Sequence, residues 1–317
     1  MVHSIDPEIS SAMTALSTGT PVQEAPKVAD WATRRAATNA LLAAMSSRVV
    51  VPGPVATDHF DATAGDLTTI PLRLYSPPGA DVGGGLVVYL HGGGMFCGTV
   101  DVYDNFVRRY AHDSGTKILA VDYRFAPEFP FPYAVEDSYA ALSWTFEHAD
   151  LLGVDPSRVA IAGDSAGGGM AAAVAQMARD RGLPPLAMQV LIYPMLDDRN
   201  TTHDPDIAGY LTWNWDDNIT GWSALLGDEA GTDAVSPYAA PARQQVMSGL
   251  APTYIDVGTL DIFRDETLQY ASRLVAAGVP VELHMHPGAP HAFEALAPES
   301  AVAKRALGDR IRVFSEL

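Results

Sequence analysis

Cysteine is almost absent: a single residue, Cys97, rules out an intrachain disulfide. Positive charge is scarce too. The chain carries 20 Lys and Arg against 38 Asp and Glu, a net charge of −18. That balance argues against nucleic acid or an anionic membrane as a partner and disfavours strongly anionic substrates. No apolar run reaches the ~18 residues of a membrane span. The opening Met1-Val2-His3-Ser4-Ile5-Asp6-Pro7-Glu8 lacks the basic and apolar regions of a secretory signal. What remains is a chain of 317 residues, 48% apolar, which is enough for a sizeable core and excludes disorder. One large α/β domain or two small ones, soluble and cytoplasmic, is the expectation.

The first 49 residues read as helices without strands. Asp6-Pro7-Glu8 offers an N-cap with proline at the first helical position, Leu16 lies ahead of a Gly/Pro break, and Asp30-Trp31-Ala32 starts a second Ala-rich helix. Two strands are expected at His59 to Thr63 and Leu67 to Tyr75. From Leu86 onward, short apolar runs alternate with helical stretches: Leu86 to Leu90, Ile118 to Val121, Val159 to Ala162, Met188 to Tyr193, Thr253 to Val257 and Val281 to His286 are the strands. Such alternation means a mostly parallel sheet covered by helices on both faces. The stretch Asp197 to Pro237 breaks the rhythm and is too long for an ordinary connection. It reads as a helical insertion over the carboxyl edge of the sheet, where such sheets bind ligands.

The chemistry begins at Gly163-Asp164-Ser165-Ala166-Gly167, between a strand and a helix. This G-x-S-x-G pattern, in that setting, puts a serine on a turn tight enough to project its Oγ. A second motif, His91-Gly92-Gly93-Gly94, follows directly on the strand Leu86 to Leu90. Consecutive glycines let backbone N–H groups face a ligand oxygen, as the oxyanion of acyl transfer requires. Gly83-Gly84-Gly85 precedes that strand and is read as a plain turn.

Chain order then places an acid and a histidine after the serine. Of the later histidines, His203, His284, His286 and His291, only His291 sits in the loop beyond the last strand, where a base must reach Ser165. His284 and His286 lie within that strand and lack a third ligand for a metal. Asp261, in the loop after the strand Thr253 to Val257, is the stronger candidate acid. Asp265, in the first turn of a helix, is explained by capping and the helix dipole.

These residues resemble the bacterial hormone-sensitive-lipase family (family IV) of α/β-hydrolase carboxylesterases, in its GDSAG subfamily. The resemblance rests on His91 to Gly94, Asp122-Tyr123-Arg124-Phe125-Ala126-Pro127-Glu128, Gly163 to Gly168, Asp261-Ile262-Phe263-Arg264-Asp265-Glu266 and His291-Ala292-Phe293. It implies Ser165 as nucleophile, His291 as general base and acid, Asp261 as orienting carboxylate, and backbone N–H groups of Gly93, Gly94 and Ala166 as the oxyanion hole. It also implies a helical cap built from residues 1–49 and 197–237 on a catalytic domain of residues 50–317. Short- to medium-chain acyl esters would be the substrates, without metal or cofactor, and homodimers through the last strand or helix occur among such enzymes. Three positions depart from the family pattern: Ile262-Phe263 where Pro-Leu is usual, Ala292 where glycine is commoner, and Met95 where an aromatic residue is common.

Amide hydrolysis and acyl transfer to an alcohol use the same machinery and stand as alternatives. A non-catalytic receptor of this fold is the remote one, because such receptors replace the histidine that is present here. Trp213, Trp215, Trp222 and Phe96 are the candidate substrate contacts, with cap core as the competing reading for the tryptophans. Cys97 reads as a packed thiol, Asp197-Asp198 and Asp216-Asp217 as solvated surface, and Arg124 and Glu128 as braces beneath the site.

Overall fold

The computed structural model describes residues 3–17, 26–80 and 82–317. Its centre is an eight-stranded sheet: β1 (Ala56–Thr63), β2 (Thr69–Ser76), β3 (Gly84–Leu90), β4 (Lys117–Val121), β5 (Val154–Asp164), β6 (Met188–Ile192), β7 (Thr253–Gly258) and β8 (Val281–His286), in the order β1-β2-β4-β3-β5-β6-β7-β8. The β1–β2 and β2–β4 pairs are antiparallel, and every pair from β4 to β8 is parallel. The alternating β/α pattern thus gives the sheet expected of it.

Period-two side-chain geometry divides the core. Leu86, Val88 and Leu90 of β3 join one cluster with α4 (Tyr133–Glu147), α6 (Ala166–Arg181) and α8 (Arg264–Ala276). Val87 and Tyr89 join the other, with α3 (Val100–Ser114) and α10 (Ala301–Ser315). Helices therefore cover both faces. Helix α6 is buried from Ala166 to Ala178. A helix enclosed on all sides needs small apolar residues rather than one apolar stripe, and Ala-Gly-Gly-Gly-Met-Ala-Ala-Ala supplies them.

In chain order the remaining helices are α1 (Pro7–Ser17), α2 (Trp31–Ser46), the short α5 (Ala149–Leu152), α7 (Trp215–Leu226) and the short α9 (Phe293–Leu296). The Gly/Pro break expected after Leu16 falls outside the described residues. The two N-terminal helices part company: Ile9 of α1 packs with Phe293 and Val302 beside α10, whereas α2 packs on α3 and α7. Asp30 caps α2 by accepting from Thr33 N at 3.1 Å. Asn214 and Asp217 close a reciprocal capping box on α7, at 3.0 and 3.1 Å.

One polar cluster runs through the core. Arg310 lies on the buried stripe of α10, among Val302, Ala306, Val313 and Phe314, and is itself fully buried. Its guanidinium takes Asp256 of β7 with two hydrogen bonds, at 2.7 and 3.0 Å, and Glu294 of α9 at 2.6 Å. Burial alone would raise the Asp256 carboxyl, yet the Arg310 charge beside it holds it well below the usual range. Replacing Arg310 by Met leaves two buried carboxylates without their counter-charge. We expect a loss of about 3–5 kcal/mol in urea unfolding; a loss under about 1 kcal/mol would show that the cluster contributes little.

Candidate active site

Four parallel strands of the sheet end at one place. β3 runs into His91 to Gly94, β5 into Ser165, β7 into the loop bearing Asp261, and β8 into the loop bearing His291. Leu90 stands opposite Gly163 in the β3–β5 register, so the glycine loop and the serine turn leave the sheet side by side.

The serine turn is tight. Ser165 has φ 55° and ψ −121°, a conformation that costs a non-glycine residue about 1–3 kcal/mol. Its neighbours hold it: Ser165 N donates to Ile192 O at 2.9 Å, and Ser165 O accepts from Met195 N at 2.9 Å and Gly169 N at 3.0 Å. Gly163 and Gly167 permit the crossing. A Cβ on Gly163 would collide with the Gly167 backbone, and one on Gly167 with the Leu90 carbonyl.

Ser165 Oγ lies 2.9 Å from His291 Nε2, and His291 Nδ1 lies 2.7 Å from Asp261 Oδ2. Asp261 Oδ1 accepts from Phe263 N at 3.0 Å, which fixes the carboxylate's orientation. Tyr193 and Phe263 set their rings edgewise to the imidazole, with centroids 4.6 and 5.2 Å away. All three side chains are buried. The other candidate acids take different partners, as do His203 and His284. Asp265 pairs with Arg264, Asp256 with Arg310, His284 with Glu282 and Asp309, and His203 stacks on Trp215. Among the described residues no group of three His, Cys, Asp or Glu side chains takes a metal-holding arrangement.

The glycine loop is tied to the serine turn through Asp164. Its carboxylate accepts from Tyr89 Oη at 2.8 Å, Gly92 N at 3.1 Å and Tyr103 Oη at 2.8 Å. Burial pushes that carboxyl above its usual range, and the two phenol hydrogen bonds oppose the shift. His91 is buried behind the loop, stacked on Tyr123 at 4.4 Å, with Nδ1 against Gly92 O. Burial lowers it to about 4, so it is neutral at pH 7. Gly93 and Gly94 have φ 129° and 59°, and no described residue accepts from their N–H groups. Ala166, first in α6, has no partner for its N–H within the helix. Cys97 is inert: burial pushes the thiol up to about 12, and its Sγ lies 2.9 Å from Gly93 O.

A cavity of about 120 Å³ opens beside Ser165. Trp213 lines it with Thr212 and Asp217; Leu41, Leu42 and Met45 of α2 form much of its apolar wall. Of the four aromatic residues expected to meet substrate, Trp213 is the one on this wall. Trp222 is enclosed in the core, Trp215 donates to Asn200 Oδ1 at 3.2 Å, and Phe96 packs behind Trp213. The acidic pairs also differ from solvated surface. Asp198 is buried on Arg243, and Asp217 pairs with the buried Arg34 of α2 while facing the cavity. Arg124 braces as expected, holding Asp137 and Asp66, and Glu128 holds Arg35. The resemblance assigns α2 to a cap, but its Leu and Met positions suit any amphipathic helix and do not tell which of them wall the cavity. Arg310 did carry a sequence signal: a lone Arg on an apolar helical stripe.

The family model for the α/β hydrolase fold matches residues 87–295. The chain is 40% identical over 246 residues to the carboxylesterase NlhH of Mycobacterium tuberculosis, covering 76% of each chain. It is 36% identical over 238 residues to the ethyl acetate hydrolase of Pseudomonas putida, covering 73% of each. Among solved structures, a bacterial heroin esterase superposes with a TM-score of 0.88 at 36% identity, over 99% of this chain and 98% of the other. An esterase from Pyrobaculum calidifontis gives 0.84 at 30% identity, again over 99% and 98%. The chain belongs to the α/β-hydrolase fold family, in its hormone-sensitive-lipase branch.

Proposed function

We infer that this carboxylic ester hydrolase works through an acyl-enzyme on Ser165 and takes esters of short- to medium-chain acids. The observation that carries the reading is the continuous hydrogen-bonded path Asp261–His291–Ser165 beside the Gly93 and Gly94 N–H groups, which no described residue accepts from. With Nδ1–H donated to Asp261, the Nε2 lone pair of His291 faces the Ser165 hydroxyl. His291 removes that proton as Oγ bonds to the ester carbonyl carbon. The carbonyl oxygen gains the electron pair and lies against Gly93, Gly94 and Ala166 N–H. On collapse the C–O bond to the alcohol breaks, and His291 returns the proton to the departing oxygen. Water then repeats both steps on the acyl-enzyme and frees the acid. Asp261 holds the tautomer and stabilises the imidazolium.

Residues 1–49 and 197–237 act as the cap over a catalytic domain of residues 50–317, since α2, Thr212, Trp213 and Asp217 wall the cavity. Leu283 and Met285, exposed on the edge strand β8, favour a homodimer along that edge. Substrate size follows from volume. About 120 Å³ holds on the order of ten water-sized atoms, and its wall is mostly apolar. A panel of p-nitrophenyl esters should therefore show kcat/KM highest between acetyl and hexanoyl and down about tenfold or more by dodecanoyl, each added methylene beyond the wall losing burial. Equal or faster turnover of the dodecanoyl ester would reject the size assignment.

A further inference from the structure

We propose that Arg35 and Asn39 of helix α2 are positioning residues for the oxyanion hole, so that the cap helix fixes the reacting geometry as well as walling the cavity. This rests on the reading of Gly93 and Gly94 as oxyanion donors.

The loop from Gly92 to Gly98 is strained at one position. Gly93, Gly94, Met95 and Gly98 all have positive φ, at 129°, 59°, 68° and 87°. Met95 has no glycine's freedom there, and such a conformation persists only where its surroundings fix it. Inside the loop, Phe96 N and Cys97 N both donate to Gly93 O, at 3.1 and 2.9 Å. That leaves the far limb to be anchored from outside.

Helix α2 supplies two of those anchors. Arg35 Nε donates to Phe96 O at 2.5 Å, and Asn39 Oδ1 accepts from Gly98 N at 2.8 Å. A third comes from the neighbouring segment, where Ala126 N donates to Met95 O at 3.0 Å. Arg35 grips that segment as well, through Ala126 O at 2.8 Å and both oxygens of Glu128 at 2.6 Å. Its guanidinium also sits 4.7 Å from the centre of the Trp31 ring. One side chain thus joins the cap helix, the glycine loop and the 126–128 segment.

The spacing fits one helix face. Arg35, Thr38, Asn39, Leu42 and Met45 fall at intervals of three and four residues. The N-terminal members hold the loop; Thr38, Leu42 and Met45 line the cavity. Any displacement of α2 therefore moves the carbonyl of Phe96 and the N–H of Gly98, two and four residues from Gly94. Donors displaced by about 1 Å from a forming oxyanion can cost on the order of a hundredfold in rate. The effect belongs to the transition state and thus to kcat.

The test uses the full chain with p-nitrophenyl butyrate. Arg35→Ala should lower kcat about 10- to 100-fold with KM within about threefold. The inhibition constant of a trifluoromethyl ketone, whose serine adduct carries an oxyanion, should rise by the same factor as kcat/KM falls. Arg35→Lys keeps the charge and a donor group but not the planar fork, and should recover to within about tenfold of wild type. A folded Arg35→Ala with kcat within about twofold of wild type, or with its whole loss in KM, would overturn the proposal. Should Arg35→Ala not fold, Asn39→Ala is decisive: a loss of about 3- to 10-fold in kcat is expected, and none overturns it. Wild-type turnover that does not depend on Ser165 would instead reject the underlying reading, and is recognised before any α2 variant is compared.

Discussion

Ser165→Ala should leave a folded protein whose ester turnover is lower by about 10⁴–10⁶. The size of the effect comes from what alanine removes. Without Oγ no acyl-enzyme forms and His291 has no serine proton to take, so binding and the oxyanion donors are left to assist a direct attack by a water that nothing holds in place. Folding should survive because the backbone contacts of the turn, Ser165 N to Ile192 O and Met195 N to Ser165 O, do not involve the hydroxyl. The strained φ of 55° is borne by any residue with a Cβ, so alanine meets the same strain as serine. Circular dichroism and the thermal midpoint check the fold, and initial rates on p-nitrophenyl butyrate check the chemistry. A folded Ser165→Ala with wild-type turnover would sink the acyl-enzyme. Labelling by a fluorophosphonate, present in wild type and lost in the variant, reads the same residue without a substrate.

The second large effect concerns the acid. Asp261→Asn is expected to cost about 10³–10⁴ in kcat, whereas Asp265→Asn should stay within about threefold. An asparagine amide at position 261 can donate to His291 Nδ1. That would put the imidazole proton on Nε2, facing Ser165 with a donor where an acceptor is needed. Asp261 is fully enclosed and bonded to the ring at 2.7 Å, so solvent does not compensate for its loss. Asp265 is paired with Arg264 on the exposed side of α8, and surface pairs of that kind contribute little. Losses in the reverse order would mean that the wrong carboxylate is named. The ratio of the two variants is the informative quantity, since both change one carboxylate to an amide in the same loop–helix segment.

Much of this was legible in the sequence, for reasons of locality. The serine turn, the glycine loop and the parallel sheet follow from short-range pattern: a strand, a forced turn and a helix lie within twenty residues of one another. His291 and Asp261 were legible because chain order in an alternating β/α fold tells which loops share the carboxyl edge. Roles that depend on distant partners were not. Asp217 read as surface because its neighbour Asp216 is charged too, yet Arg34, 183 residues away, draws it inward. In sequence Trp215 and Trp222 suit a pocket or the cap core alike, because large aromatics favour both, and α7 turns them from the cavity. The pattern of α2 alone does not tell a cavity wall from a surface helix, since both need an amphipathic stripe; only the family resemblance put it in a cap.

The pairing of Leu90 with Gly163 has a consequence for how the site can vary. Strand register changes only in whole residues, about 3.3 Å at a time, and each such step turns every side chain to the opposite face. The spacing between Ser165 and the glycine loop is therefore quantised by the sheet: it is right, or the core itself is wrong. Finer adjustment, in tenths of an ångström, is left to the loop between Gly92 and Gly98. Coarse setting and fine tuning are thus assigned to different parts of the chain, and mutation can alter the second without risking the first.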